Sequence, residues 1–185
     1  MAEYMFRDLR SDEIECRVAQ AKENGVSVLL YKDARCDMNI LDETVGPMNW
    51  MRQHSRDNAN CAVSLWDKDK QMWISKEDTG TESNTEAAKG LASDSFKRAC
   101  FNWGIGRELY TAPFIWIPAE ECSALRQTKT PRGELRWQCF DSFEVEKIVI
   151  EDKHIVALAL KNTKTKKRCF IWQDAEWKKN KEEQK

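Results

Sequence analysis

The sequence predicts an α+β fold: an antiparallel β-β-β-α core, flanking helices and a C-terminal β-rich extension. Three observations predict it. Three stretches of strand character, 49–56, 60–66 and 71–77, follow one another with short polar turns between them. One long helical pattern then runs from a capping box at 83–86 to Gly104. Beyond residue 140 the stretches 143–150 and 155–160 alternate again. The chain accordingly divides into an N-terminal part, 1–118, and a C-terminal β extension with a basic tail, 119–185.

Taken in order, 11–24 reads as a helix, with Ser11 as N-cap, Ile14, Val18 and Ala21 at helical spacing, and Gly25 as its end. The stretch 26–31, Val-Ser-Val-Leu-Leu-Tyr, is β-prone. A second helix is expected over 34–45, with Met38, Leu41 and Val45 on one side and Gly46-Pro47 as the break. In 60–66, Cys61, Val63 and Leu65 alternate with Ala62, Ser64 and Trp66, the period of a strand in an antiparallel sheet. Asp67-Lys68-Asp69-Lys70 turns the chain into 71–77, and 79–85 is a polar loop. In the long helix Ala88, Leu91, Ala92, Phe96, Ala99 and Trp103 recur at three- and four-residue intervals. A short apolar piece, 114–117, lies between Pro113 and Pro118. The stretch 126–136 reads as a loop, since Thr130-Pro131-Arg132-Gly133 is turn chemistry. A last strand is expected at 168–172, and 173–185 is polar, frayed or helical.

Composition sets the broad class. With 185 residues and 41% hydrophobic content, the chain can bury one ordinary core. No apolar run approaches the ~20 residues that span a bilayer, and the first residues lack a signal-peptide pattern. A cytoplasmic protein is therefore expected, with no membrane partner. The seven cysteines are scattered without a Cys-x-x-Cys pair, and the histidines are only His54 and His154. Zinc sites usually cluster their ligands in close pairs. Reduced thiols, no metal and no cofactor are expected.

The net charge of −1 hides an asymmetry. Lys161, Lys164, Lys166, Lys167, Arg168, Lys178, Lys179 and Lys181 crowd the C-terminal stretch, while acidic residues gather at 8–23 and 77–86. Locally basic surfaces can attract phosphate whatever the average. On the long helix Lys89, Ser93 and Lys97 stand four residues apart, with Arg98 about 100° further round. Such a stripe can track a phosphate backbone; the same residues also fit a solvated face with Asp94 and Arg98 as an i,i+4 pair. In 49–56, period two puts Trp50, Arg52, His54 and Arg56 on one face. An aromatic among cations suits single-stranded nucleic acid, and equally an edge strand with Trp50 in the core. Trp66, Trp73, Trp103 and Trp116 sit among apolar neighbours and read as core, and Trp172 and Trp177 as packing residues able to stack on bases.

Enzyme signatures are missing. There is no phosphate-cradling Gly-x-x-x-x-Gly-Lys-Ser/Thr loop, no Gly-x-Ser-x-Gly elbow, and too little histidine for most triads. Asp78, Glu82, Glu86 and Lys89 come nearest to a metal-dependent nuclease cluster, but their place at a helix start suits helix-end electrostatics better.

The stretch 86–110, Glu-Ala-Ala-Lys-Gly-Leu-Ala-Ser-Asp-Ser-Phe-Lys-Arg-Ala-Cys-Phe-Asn-Trp-Gly-Ile-Gly-Arg-Glu-Leu-Tyr, resembles the signature helix of the Rad fifty-two superfamily of single-strand annealing proteins, especially its phage Sak-type and DdrA-like branch. The stretch 34–50, from Ala34-Arg35 to Met48-Asn49-Trp50, resembles the family's arginine-led helix and its approach to the sheet. The likeness covers about residues 10–117 and does not extend to 119–185. It implies that 1–118 is an annealing-type DNA-binding core that assembles into rings or helical filaments. Single-stranded DNA would lie in a groove, phosphates held and bases outward. By the resemblance Arg35, Lys97 and Arg98 would be the principal DNA contacts; the strand face and helix stripe read above add Arg52, Arg56, Lys89 and Trp50 as candidates. Eukaryotic members often carry a basic residue where this chain has Phe101, which here would stack on bases or pack between subunits.

The implied activity is ATP-independent binding and annealing of complementary strands in recombination and double-strand-break repair, without catalysis. The setting would be the nucleoid of a bacterial or phage-infected cell. The alternative is a mediator that loads a partner recombinase without annealing. Expected partners are single-stranded DNA, further copies of the chain, and a recombination exonuclease or single-strand-binding protein.

Overall fold

The computed structural model describes residues 4–81 and 87–183, with side chains described over 4–81 and 90–183. A short 3-10 turn at Ser11–Glu13 leads into β1 (Glu15–Lys22) and β2 (Gly25–Tyr31). Then come α1 (Ala34–Val45), β3 (Trp50–Ser55), β4 (Asn60–Asp67), β5 (Met72–Thr79) and α2 (Ala87–Asn102). The remainder is β6 (Ile115–Pro118), β7 (Leu125–Lys129), β8 (Leu135–Cys139), β9 (Phe143–Glu151), β10 (His154–Asn162), β11 (Arg168–Gln173) and α3 (Ala175–Glu183). The fold is α+β with antiparallel sheets. No helix among the described residues is long and apolar enough to cross a membrane.

The chain forms two compact units, Met1–Leu9 with Asp33–Arg107, and Arg10–Lys32 with Glu108–Lys185. This differs from the expected division at 118/119. Residues 10–32 and 108–118 join the C-terminal segment because β1 and β2 pair with β9 and β6 in one sheet, ordered β11-β10-β9-β1-β2-β6.

In the first unit β3, β4 and β5 form a meander, and α2 packs on β4 and β5. Register places Trp50 beside Leu65, Arg52 beside Val63 and His54 beside Cys61, so these six share a face. Cys61, Val63 and Leu65 are buried, as are Phe96, Ala99 and Cys100 of α2. The opposite face carries Ser64 and Ser75, whose hydroxyls are 2.7 Å apart, and the edge-to-face pair Trp66 and Trp73. Trp73 is thus half-open rather than core, because one-residue alternation turns it away from α2. Gly104, at φ +91, supplies the left-handed residue that ends the helical region, as its position suggests. The expected capping box at 83–86 lies outside the described residues.

Two further expectations are corrected. The stretch 11–24 is not a helix; it is the 3-10 turn followed by β1. A β-bulge between Val18 and Gln20 puts Val18 and Ala21, three residues apart, on one side of the strand, imitating helical spacing. The stretch 126–136 is a hairpin, β7 and β8, with the expected turn at 130–133 between them. Its strands are polar on most positions, which hides the alternation. The tail is helical, as α3.

Gly80 sets the spacing of α2 over the sheet. Its amide donates to Ala59 O at 2.7 Å, and a β-carbon there would lie 2.6 Å from Ser95 N and 2.8 Å from Leu91 O. Both are backbone atoms, so no rotamer change relieves the overlap. Gly80→Ala is expected to cost at least the roughly 1–3 kcal/mol of an overpacked core, read as a lower urea midpoint with an unchanged slope.

Candidate nucleic-acid interface

A cationic site lies in the first unit, where α1 begins. Asp33 is the N-cap of α1, its carboxylate accepting from Arg35 N at 2.6 Å. The Arg35 guanidinium returns to the same carboxylate, Nη2 standing 2.8 Å from Oδ2. These bonds hold the Asp33 carboxyl below the usual carboxylate range, and the charge of Lys97 on α2 adds a smaller lowering. Arg35 thus pairs directly with Asp33, and the Lys97 charge reaches the same carboxyl more weakly. The Arg35 side chain remains 83% exposed. Exposed pairs of this kind contribute about 0–1 kcal/mol, so a phosphate can take the place of Asp33 at little cost. Asp33 escaped the reading of binding residues, although an Asp directly before a helix is an ordinary N-cap signal.

Arg98 is placed differently. It pairs with Asp78 of β5, Nε to Oδ1 3.4 Å, and keeps 40% of its side chain exposed. The expected partner, Asp94, instead accepts from Thr81 N at 2.9 Å and from Thr81 Oγ1. Arg98 therefore ties α2 to the end of β5. Asp78 also accepts from Asn102 Nδ2 at 3.4 Å, which engages the nearest member of the nuclease cluster; Glu82 and Glu86 lie outside the described residues. The Lys89 side chain is likewise outside them, while Ser93 and Phe101 are half-buried along the stripe that includes Lys97.

The strand face of Trp50, Arg52 and His54 turns toward α2 rather than away from the protein. Trp50 stacks on Phe96 with ring centroids 6.2 Å apart and donates Nε1–H to Asp42 Oδ1 at 2.6 Å. Arg52 lies over the Phe96 ring, 4.9 Å from its centroid, with its surface still exposed. Trp50 is thus a packing residue at the sheet edge, and Arg52 a cation held by an aromatic face. Arg56 does not share the face: β3 stops at Ser55, and Arg56, Asp57 and Asn58 are three successive residues with positive φ. Arg35 binds Asp33 and the Lys97 charge reaches the same carboxyl, while Arg52 lies on Phe96, Arg98 on Asp78 and Arg56 in the turn after β3.

In the second unit Trp177 donates Nε1–H to Glu151 Oε1 at 2.8 Å. A cleft of about 250 Å3 lies beside it, lined by Lys147, Arg168, Ile171 and Trp172 among others. Burial pushes the thiols of Cys16 up to about 12 and of Cys61 and Cys169 up to about 11, so these cysteines are packed apolar groups rather than nucleophiles. Among the described residues one group, Cys122, Cys139 and Asp141, brings three metal-ligating atoms within 4.8 Å of one another.

No family model, no curated protein and no solved structure matches the chain.

His54 gives the first unit a pH dependence. It is half-buried, with Nδ1 3.5 Å from Ser95 Oγ. Burial first, and then the Arg52 charge, hold its imidazolium below the ordinary value. The fold therefore favours the neutral ring. That contribution is present above the ordinary histidine value of about 6.5 and is lost as pH falls through the lower folded value. Unfolding midpoints are expected to drop between about pH 7 and pH 5, and His54→Gln to remove part of that drop.

Proposed function

We propose that this protein binds single-stranded DNA through the surface that carries Arg35 and Lys97, and that it anneals complementary strands as a homo-oligomer without ATP. The observation that carries the reading is the exposed Arg35 guanidinium paired with Asp33 at the start of α1, a carboxyl that also feels the Lys97 charge from α2. Each was singled out in the sequence from a different stretch, 34–50 and 86–110, and both charges act on the Asp33 carboxyl, which supports the reading. The order β3-β4-β5-α2 agrees with the β-β-β-α core that the sequence resemblance implies, which supports the reading further.

The mechanism follows from charge. Arg35 and Lys97 exchange Asp33 and counterions for phosphate oxygens, so binding weakens as salt rises. Contacts confined to the backbone carry no sequence information and leave base edges free to pair. Pairing with a second strand then supplies the driving force, and no covalent step is required. Neighbouring copies would extend the cationic path beyond one protomer.

Fluorescence anisotropy with a labelled oligonucleotide tests the site. Arg35→Ala and Lys97→Ala are each expected to weaken binding several-fold at low salt and to reduce the slope of log affinity against log salt by about 0.7. Arg98→Ala is expected to weaken binding less, since its guanidinium is engaged by Asp78. Undiminished affinity in the Arg35→Ala/Lys97→Ala double variant would remove DNA from this surface. An annealing assay without nucleotide or metal tests the second half: strands bound but never paired would leave the mediator role instead.

A further inference from the structure

We propose that Cys122, Cys139 and Asp141 form a binding site for one soft divalent cation of the zinc class. The three residues come from the base of the β7–β8 hairpin. Cys122 follows the 3-10 turn Ala119–Glu121, Cys139 is the last residue of β8, and Asp141 stands two residues beyond it. Register sets Leu125 opposite Cys139, and the Phe140 amide donates to Ala124 O at 3.0 Å, so the two ends of the hairpin are held together. This pairing brings together cysteines that are far apart in sequence.

The geometry is close to a ligand set. Cys139 Sγ is 3.6 Å from Asp141 Oδ2, and all three ligating atoms lie within 4.8 Å of one another. Tetrahedral zinc, with Zn–S near 2.3 Å and Zn–O near 2.1 Å, requires sulfur–oxygen and sulfur–sulfur separations of about 3.6 and about 3.8 Å. The Asp141 carboxylate is also held in place, its Oδ2 by two backbone amides and its Oδ1 by a hydroxyl. It accepts from Ser123 N at 2.7 Å, from Ala124 N at 2.9 Å and from Ser123 Oγ. Carboxylate ligands are generally oriented by such outer hydrogen bonds.

Two sulfurs and one oxygen favour zinc-like ions over magnesium or calcium, which take oxygen ligands. Asp141 is buried, while Cys122 and Cys139 are half-exposed, so solvent reaches the group and water can supply a fourth ligand. The cation takes the place of the two thiol protons, which are released to solvent. It would staple the segment entering β7 to the segment leaving β8.

The test uses the full chain, kept reduced. Titration with cobalt(II) is expected to give a thiolate-to-cobalt charge-transfer band that saturates at about one equivalent and is displaced by zinc. Cys122→Ser and Cys139→Ser are each expected to cut the band by at least half, and Cys36→Ser, in the other unit, to leave it unchanged. Ser123→Ala, which removes one donor to Asp141, is expected to weaken zinc binding about 10- to 100-fold. Should the serine variants fail to fold, the wild-type chain still decides: zinc is expected to slow iodoacetamide alkylation of Cys122 and Cys139, read by peptide mass spectrometry, and not of Cys16. Absence of the band, a band equally strong in both serine variants, or alkylation that zinc leaves unchanged would overturn the site.

Discussion

The first unit depends on how closely α2 can lie on the β3–β4–β5 sheet. Phe96, Ala99 and Cys100 are buried at that seam, and Gly80 admits the helix backbone where any β-carbon would stop it. Ser95 reinforces the same point, its Oγ donating to Asn58 O at 2.9 Å. Trp103 closes the far end by donating Nε1–H to Val63 O at 3.0 Å, and Lys76 Nζ donates to Asn102 O at 2.7 Å while lying over the Trp103 ring. Polar groups that close packing would otherwise strand are thereby satisfied. With α2 fixed, Lys97 is fixed too, and its place beside α1 follows.

The helix therefore has two working sides. One is apolar and rigidly seated. The other includes Lys97, whose charge is felt at Asp33 across α1 and α2. A cation on a rigid helix keeps its position without the entropy loss that ordering a loop would require. Arg98 lies between the two sides and is drawn to the sheet by Asp78. Adjacent cations in sequence thus take different tasks, because one residue of helical rotation separates a surface facing α1 from one facing β5.

Much of this was legible in the sequence. Helix 34–45 is read from Met38, Leu41 and Val45 on one side and its Gly46-Pro47 stop, and it forms over Ala34–Val45. The meander is read from alternation that nothing interrupts. The misreadings have local causes. The bulge in β1 makes a strand look helical, and polar residues on both faces of β7 and β8 conceal their period. At the candidate site, positive residues were visible one at a time, but their partners were not. Asp33, Asp78 and Phe96 decide whether Arg35, Arg98 and Arg52 reach outward, and they lie two, twenty and forty-four residues away. Cys122 and Cys139 likewise meet only because a hairpin folds between them.

The interleaved connectivity bears on how the polypeptide emerges from the ribosome. β2 ends at Tyr31, yet its sheet neighbour β6 begins at Ile115, and β1 waits for β9 at Phe143. At about 5–20 residues per second of translation, roughly 80 residues take several seconds. Throughout that interval the nascent β1–β2 hairpin has both flanks unoccupied, a hazard for sticking to other nascent chains. Glu15, Arg17 and Lys22 space charges along β1. Charges so spaced disfavour pairing with a foreign strand before β9 and β6 emerge.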